Sequence, residues 1–305
     1  MPPRTEESAP LRLVKFSLVF PRPIQEFNRL SYTSFGSNSV YHALQASLRR
    51  RSRTGFFYRI NYTFGKSIDD SSSVFGFGGG GGLAGAIDTR NLRLDRGRSS
   101  FDQRHAVTFA ARYELPIGQG RQFFPGMRGT VQTLLGGSQV ASTLTTYSGQ
   151  PFTVTTSNVD LNAGESPRPN RIGHGHLPSD AFPGKKGVDF PWFDLTAFER
   201  VPCIGTRNRT GIECVQSAYG FQPFQVGNSG RNILDIPGTF NLNLSIQKNF
   251  YFEGRRRLQV RMDAFNAPNT TQLRRPASQF DSLQGGFIIR AGAPRILQAS
   301  LAYNS

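Results

Sequence analysis

An all-β, antiparallel up-and-down transmembrane β-barrel segment is the fold class this sequence predicts, and three observations predict it. Apolar and polar residues take turns over runs of roughly 9–11 residues, the length a tilted strand needs to cross a bilayer. Short and long connections alternate along the chain. No run approaches the apolar length of about 20 residues that a membrane-spanning helix requires. The alternation is clearest where Phe56, Tyr58, Ile60, Tyr62 and Phe64 share one face and Phe57, Arg59, Asn61 and Thr63 share the other. Side chains two apart point to the same side of a strand. Arginine and asparagine behind a column of aromatics require water on one side and an apolar medium on the other.

Eight strands are expected in order. Residues 11–20 form the weakest, because Arg12 and Lys15 interrupt its alternation and Pro21 ends it. Residues 40–50 place Leu44, Ala46 and Leu48 against Gln45, Ser47 and Arg49, and 54–66 follow after a tight turn at 51–53. Residues 104–115 set Val107, Phe109, Ala111, Tyr113 and Leu115 against Thr108, Arg112 and Glu114; the threonine-rich run 140–154 is ambiguous in phase. Residues 239–250 set Phe240, Leu242, Leu244 and Ile246 against Asn241, Asn243, Ser245 and Gln247. After a tight turn at 253–256, residues 257–266 set Leu258, Val260, Met262 and Ala264 against Gln259, Arg261 and Asp263. The last strand, 295–303, carries Leu297, Ala299, Leu301 and Tyr303 on one face.

The connections 67–103, 155–238 and 267–294 are long and rich in Gly, Pro, Asn and Ser, whereas 51–53, 116–137 and 253–256 are shorter. Barrels of this kind have short periplasmic turns and longer extracellular loops, which assigns the two ends. A soluble β-sandwich also alternates, but its connections are mostly short, and loops beyond about 12–15 residues would need a separate reason. Residues 40–305 then form the barrel portion, and 1–39 a partial first strand and loop.

Of 305 residues, 37% are hydrophobic, and 26 Phe stand against a single Trp, a composition suited to strands and turns. The net charge of +16 raises the question of nucleic acid. The arginines are scattered over loops and turns without zinc-finger, helix-turn-helix or RNP spacing, so no nucleic-acid partner is expected; outer-membrane lipid is. Met1 leads into Pro2, Pro3, Arg4, Thr5, Glu6 and Glu7 with no apolar run, so no signal peptide is read. Export then implies that the true N-terminus lies upstream.

Chemistry-bearing groups are few. The glycine run 76–82 lacks the Lys-Ser/Thr and following helix of a phosphate loop, so it reads as loop. His174 and His176, with Asp180 nearby, fall short of three or four convergent ligands, and no metal or other cofactor is expected. Cys203 and Cys214 are the two cysteines, and an oxidising compartment makes them a disulfide candidate that would stabilise the loop by roughly 3 kcal/mol. No Ser-His-Asp or Cys-His arrangement is recoverable, so no enzyme activity is expected. Arg59, Asn61, Arg112, Glu114, Asn243, Gln247, Arg261 and Asp263 are the lumen-facing candidates. An arginine on the lipid side near the bilayer midplane would cost about 2–4 kcal/mol. Tyr58, Tyr62, Tyr113 and Tyr303 are candidates for interfacial aromatic girdles.

Ten runs, in order, resemble one family. Tyr41-His42-Ala43-Leu44-Gln45 and Tyr62-Thr63-Phe64-Gly65-Lys66-Ser67-Ile68-Asp69-Asp70 resemble the "YxALQ … SYTWSKSIDD" of Oar-like TonB-dependent receptors. Asp95-Arg96-Gly97-Arg98-Ser99-Ser100-Phe101-Asp102-Gln103-Arg104-His105 is similar to its "ERGxSxFDxRH", and Tyr113-Glu114-Leu115-Pro116-Ile117-Gly118 to "YELPFG". Ser148-Gly149-Gln150-Pro151-Phe152-Thr153-Val154 is similar to "SGQPFTV", and Pro169-Asn170-Arg171 to the following "RPN". Gly227-Asn228-Ser229-Gly230-Arg231-Asn232 and Pro237-Gly238-Thr239-Phe240-Asn241-Leu242 resemble "GNSGRN … GPGxFNLDLS". Ala264-Phe265-Asn266-Ala267-Pro268-Asn269 resembles "EAFNAFNH", and Pro294-Arg295-Ile296-Leu297-Gln298 resembles "PRILQ".

The resemblance implies about eight strands of a barrel of about 22, with a plug and a carboxypeptidase-like domain upstream. It implies solute uptake driven through the plug by TonB, and therefore no transport by this chain alone. The family's terminal Phe is replaced here by the ending Leu301-Ala302-Tyr303-Asn304-Ser305. Two rivals follow from the residues themselves. An even number of strands allows an autonomous small barrel acting as adhesin or passive pore, with 11–20 pairing to 295–303. The other is a soluble basic binding module.

Overall fold

The computed structural model describes residues 36–53, 55–72, 86–88, 91–118, 120–126, 128–156, 168–178, 186–200, 227–252 and 256–304. Residues Ser37–Ser305 form a unit by themselves, apart from Met1–Gly36, and only that unit is treated below. The expected strand 11–20, the glycine run 76–82, Asp180, Cys203 and Cys214 lie outside the described residues.

Twelve strands run through the described residues: β1 Ser39–Arg51, β2 Phe56–Asp69, β3 Gly97–Arg98, β4 His105–Glu114, β5 Ser138–Tyr147, β6 Pro151–Phe152, β7 Asn170–Arg171, β8 Phe198–Glu199, β9 Leu234–Asp235, β10 Thr239–Tyr251, β11 Arg257–Phe265 and β12 Ile296–Asn304. One α-helix, α1 Gly129–Leu135, lies between β4 and β5, and two short 3-10 helices, Leu92–Asp95 and Leu195–Ala197, lie in the long connections. The seven long strands form one sheet in the order β1-β2-β4-β5-β10-β11-β12, with β3 paired to β2. Every pairing in that sheet is antiparallel. Each long strand thus pairs with the next long strand in the chain, the up-and-down order the sequence predicts.

Connection lengths alternate as expected, since 52–55, 115–137 and 252–256 join strands at one end and 70–104, 148–238 and 266–295 at the other. In the first turn Gly55 sits at φ +80, a left-handed geometry that a side chain disfavours. The Ser52 amide donates to the Phe56 carbonyl at 2.7 Å and closes the hairpin.

Two strand ends differ from the sequence reading by more than two residues. The run 140–154 is not one strand: β5 stops at Tyr147, and Pro151–Phe152 pairs instead with Leu234–Asp235. Proline has no amide hydrogen to continue a ladder. Gly149 also lies so close to the Ile236 backbone that no Cβ would fit. The chain must leave the wall there. β2, by contrast, runs on through Lys66 to Asp69, beyond the expected end at 66.

The buried apolar core is not in the wall. Phe152, Val154, Phe193, Ala197, Phe198, Leu234 and Phe280 form it, and all belong to the long connections. Phe193 meets Phe198 edge-on at 5.9 Å between ring centres, and Phe152 lies 5.7 Å from Phe193. The wall's apolar columns are bare, with Leu44 64%, Ile246 58%, Met262 60% and Leu301 72% exposed. No second protein layer covers them among the described residues.

Candidate functional site

Strand register decides which side chains share a face, because a shift of one residue would turn the whole set over. One row across the wall reads Leu48, Ile60, Phe109, Leu144 and Leu242. A second reads Phe56, Tyr113, Val140, Ile246, Met262 and Ala299. Apolar side chains therefore align with apolar side chains from β1 to β12. Phe56 and Tyr113 pack edge-on at 5.8 Å, a cross-strand aromatic pair. Tyr58, Tyr113 and Tyr303 stand toward the short turns. Tyr62 stands toward the loop end, where its hydroxyl lies 2.9 Å from His105 Nδ1.

The opposite face carries all eight residues named from the sequence as lumen candidates. Arg59 lies opposite Ala110, so Asn61, Arg112 and Glu114 share its side; Thr143 opposite Asn243 and Gln247 opposite Arg261 carry that side through to β11. Their polar groups find partners both on neighbouring strands and along their own. Ser47 donates to Asn61 at 2.8 Å, Asn61 to Thr108 at 3.1 Å, and Asn243 to Thr143 at 3.4 Å. Arg112 holds Glu114 at 3.2 Å, and Arg261 holds Asp263 at 2.8 Å. A shallow cavity of about 130 Å³ opens among Thr143, Asn243, Ser245, Arg261, Asp263 and Phe265. The register thus gathers the arginines, carboxylates and amides of five strands into one hydrophilic surface.

A second cluster was not read from the sequence. At the loop end, buried Arg231 binds the Asp69 carboxylate, donates to the Asp95 carbonyl at 2.6 Å and to Ser72 Oγ at 3.0 Å. Buried Arg168 pairs with Asp95 at 3.1 Å and donates to the Leu94 carbonyl at 2.8 Å. Arg98 bridges Asp102 at 2.9 Å and Asp235 at 2.7 Å, and Arg200 holds buried Asp281 at 2.6 Å. Burial raises the Asp95 carboxyl above its ordinary range, against the Ile87 amide and the two arginines that pull it down. Burial likewise lowers Arg168, opposed by Asp95. These pairs tie the three long connections to one another. Their sequence signal is that Asp69, Asp95, Arg98, Asp102, Arg168 and Arg231 lie within or beside the runs that resemble a receptor family.

The alternating wall, bare on its apolar side, is the architecture of a protein whose outer solvent is lipid. An outer membrane beta barrel domain model matches residues 16–298. The chain belongs to the outer-membrane β-barrel domain family. No curated protein and no solved structure matches it.

An outer-membrane β-barrel domain places this protein in the cell outer membrane, with its apolar face against lipid. The histidines named from the sequence lie apart from the wall. His174 accepts from Arg171 through its backbone carbonyl at 2.9 Å, and its neighbour Gly175 lies against Phe198. His176 is exposed in the same segment.

Proposed function

We propose that this chain is the C-terminal part of a TonB-dependent receptor, forming barrel wall and extracellular loops for uptake of a solute. One observation carries the reading: the sheet ends in two bare strands. β1 is exposed at every position, and neither β1 nor β12 has a second strand partner among the described residues. An open sheet edge facing hydrocarbon leaves backbone groups without partners at several kcal/mol each, so the edges demand more wall. The ten receptor-like runs support a wall completed by upstream strands. In that arrangement Arg59, Asn61, Arg112, Glu114, Asn243, Gln247, Arg261 and Asp263 line the lumen, facing solute or plug. In that reading energy comes from TonB acting on a plug within the barrel.

The test is folding in isolation against folding in company. The chain is exported with an outer-membrane leader, alone or together with upstream wall strands supplied as a second polypeptide. The reading expects a heat-modifiable, protease-resistant barrel only in the second case. A closed, ion-conducting barrel from this chain alone would overturn it in favour of an autonomous small adhesin or pore.

A further inference from the structure

The short-turn end of the wall is strongly basic. The first turn and the strand leading into it carry Arg50, Arg51 and Arg53, the second turn carries Arg121 and Arg128, and the third Arg256, all exposed. Among the described residues of these turns and adjoining strand ends, Glu114 is the one carboxylate, and Arg112 already holds it. At the loop end Arg98, Arg168, Arg200 and Arg231 are each committed to a carboxylate, while Arg93, Arg96 and Arg290 are exposed there, so position rather than charge alone distinguishes the turn end. Like charges gathered on one rim repel, and they favour an anionic partner.

Position selects that partner. Arg50 lies opposite Tyr58 and shares the apolar face with Leu48. Phe56 with Tyr113, and Leu258 with Tyr303, fall in the rows nearest the same end. Lys248, on this face too, has its ammonium 5.3 Å from the centre of the Phe250 ring. Arg50 in register with Tyr58, and the Lys248 ammonium by Phe250, put cationic groups among aromatic residues at the edge of a lipid-facing band, the depth where phosphodiesters lie. The planar fork of arginine matches phosphate oxygens in pairs. The short turns of such barrels are periplasmic, so the headgroups are those of the periplasmic leaflet.

We propose that the turn-end arginines form a docking rim for anionic phospholipid headgroups. The inference rests on the outer-membrane assignment and is independent of the receptor reading. Each basic side chain close to an anionic leaflet strengthens association roughly fivefold at moderate salt.

The test compares the full chain, folded together with the companion wall strands, with the triple variant Arg50→Gln, Arg53→Gln, Arg256→Gln, and with a loop-end control of equal charge, Arg93→Gln, Arg96→Gln, Arg290→Gln, prepared in the same way. Each is mixed with vesicles of phosphatidylcholine alone or of an equal mixture with phosphatidylglycerol, and vesicle-bound protein is measured by flotation. The wild type and the control are expected to prefer the anionic vesicles, with the preference shrinking as salt shortens the screening length. The turn-end variant is expected to lose roughly a hundredfold of that preference at low salt. Native mass spectrometry of the detergent-held proteins supplies a second reading, with phosphatidylglycerol retained by the wild type and control and lost from the turn-end variant. Equal loss in both variants would reduce the effect to net charge and overturn the proposal, as would a wild type indifferent to phosphatidylglycerol.

Discussion

Arg231 is the residue on which most loop-end contacts converge: its guanidinium serves the Asp69 carboxylate, two backbone carbonyls and Ser72 while almost fully buried. Removing one partner of a buried pair strands the other charge, at a cost of about 3–5 kcal/mol. Arg231→Ala is therefore expected to loosen the long connections without unpairing the wall. Limited proteolysis read by mass spectrometry should show new cuts in 168–200 while the strands stay protected. Asp95 adds a pH dependence. Its folded-state value lies above the ordinary 3.8, chiefly through burial, so the folded form keeps a proton that the unfolded form has released. Stability from this group is full below about 3.8 and falls as pH rises through the raised value. Asp95→Asn should flatten that decline, measured as protease protection of the loop end across the same pH range.

At the scale of the strand, the decisive property is phase. Leu144 and Thr143 are neighbours on β5, yet the register puts Leu144 in the row with Phe109 and Leu242 and Thr143 in the row with Ala110 and Asn243. Leu144→Arg would place a guanidinium in lipid near mid-strand and is expected to destabilise the folded wall by about 2–4 kcal/mol. Thr143→Arg adds the same charge to the hydrated face and should fold nearly as well. Urea unfolding in matched vesicles, with the companion wall strands present, distinguishes the two. Equal destabilisation would contradict the facing. The strand periodicity made β1, β2, β4, β10, β11 and β12 legible in the sequence, each within a few residues of its observed ends. The run 140–154 was less so. Threonine serves either face, so the alternation weakens, and a backbone contact with Ile236 rather than a side-chain pattern ends β5.

At the scale of the molecule, wall and loop end are stabilised by different means. Lipid takes the place of a second layer for the wall, whereas the long connections bury their own aromatic core, sealed by ion pairs. Contacts cross among all three. Asp95 comes from the first, with Asp69 at the end of β2 leading into it; Arg168, Arg200 and Arg231 come from the second, and Asp281 from the third. Replacing 266–295 by a short flexible linker removes Phe280 and Asp281 together. The remaining loop segments are then expected to become protease-sensitive on intact cells, while the wall strands keep their protection. If the other connections stayed resistant, mutual support among them would be refuted.

Periodicity and connection length suffice to determine the all-β class, the strand sides and the outer-membrane setting, because both follow from the two-residue repeat of a strand and the thickness of a bilayer. The eight polar wall residues were legible one by one for the same reason. Their assembly into a single face across five strands came from cross-strand register, which depends on pairs distant in the chain. The loop-end clamp needed the tertiary structure altogether. Arg231 and Asp69 are 162 residues apart, and no local pattern states that two such charges meet where water is excluded.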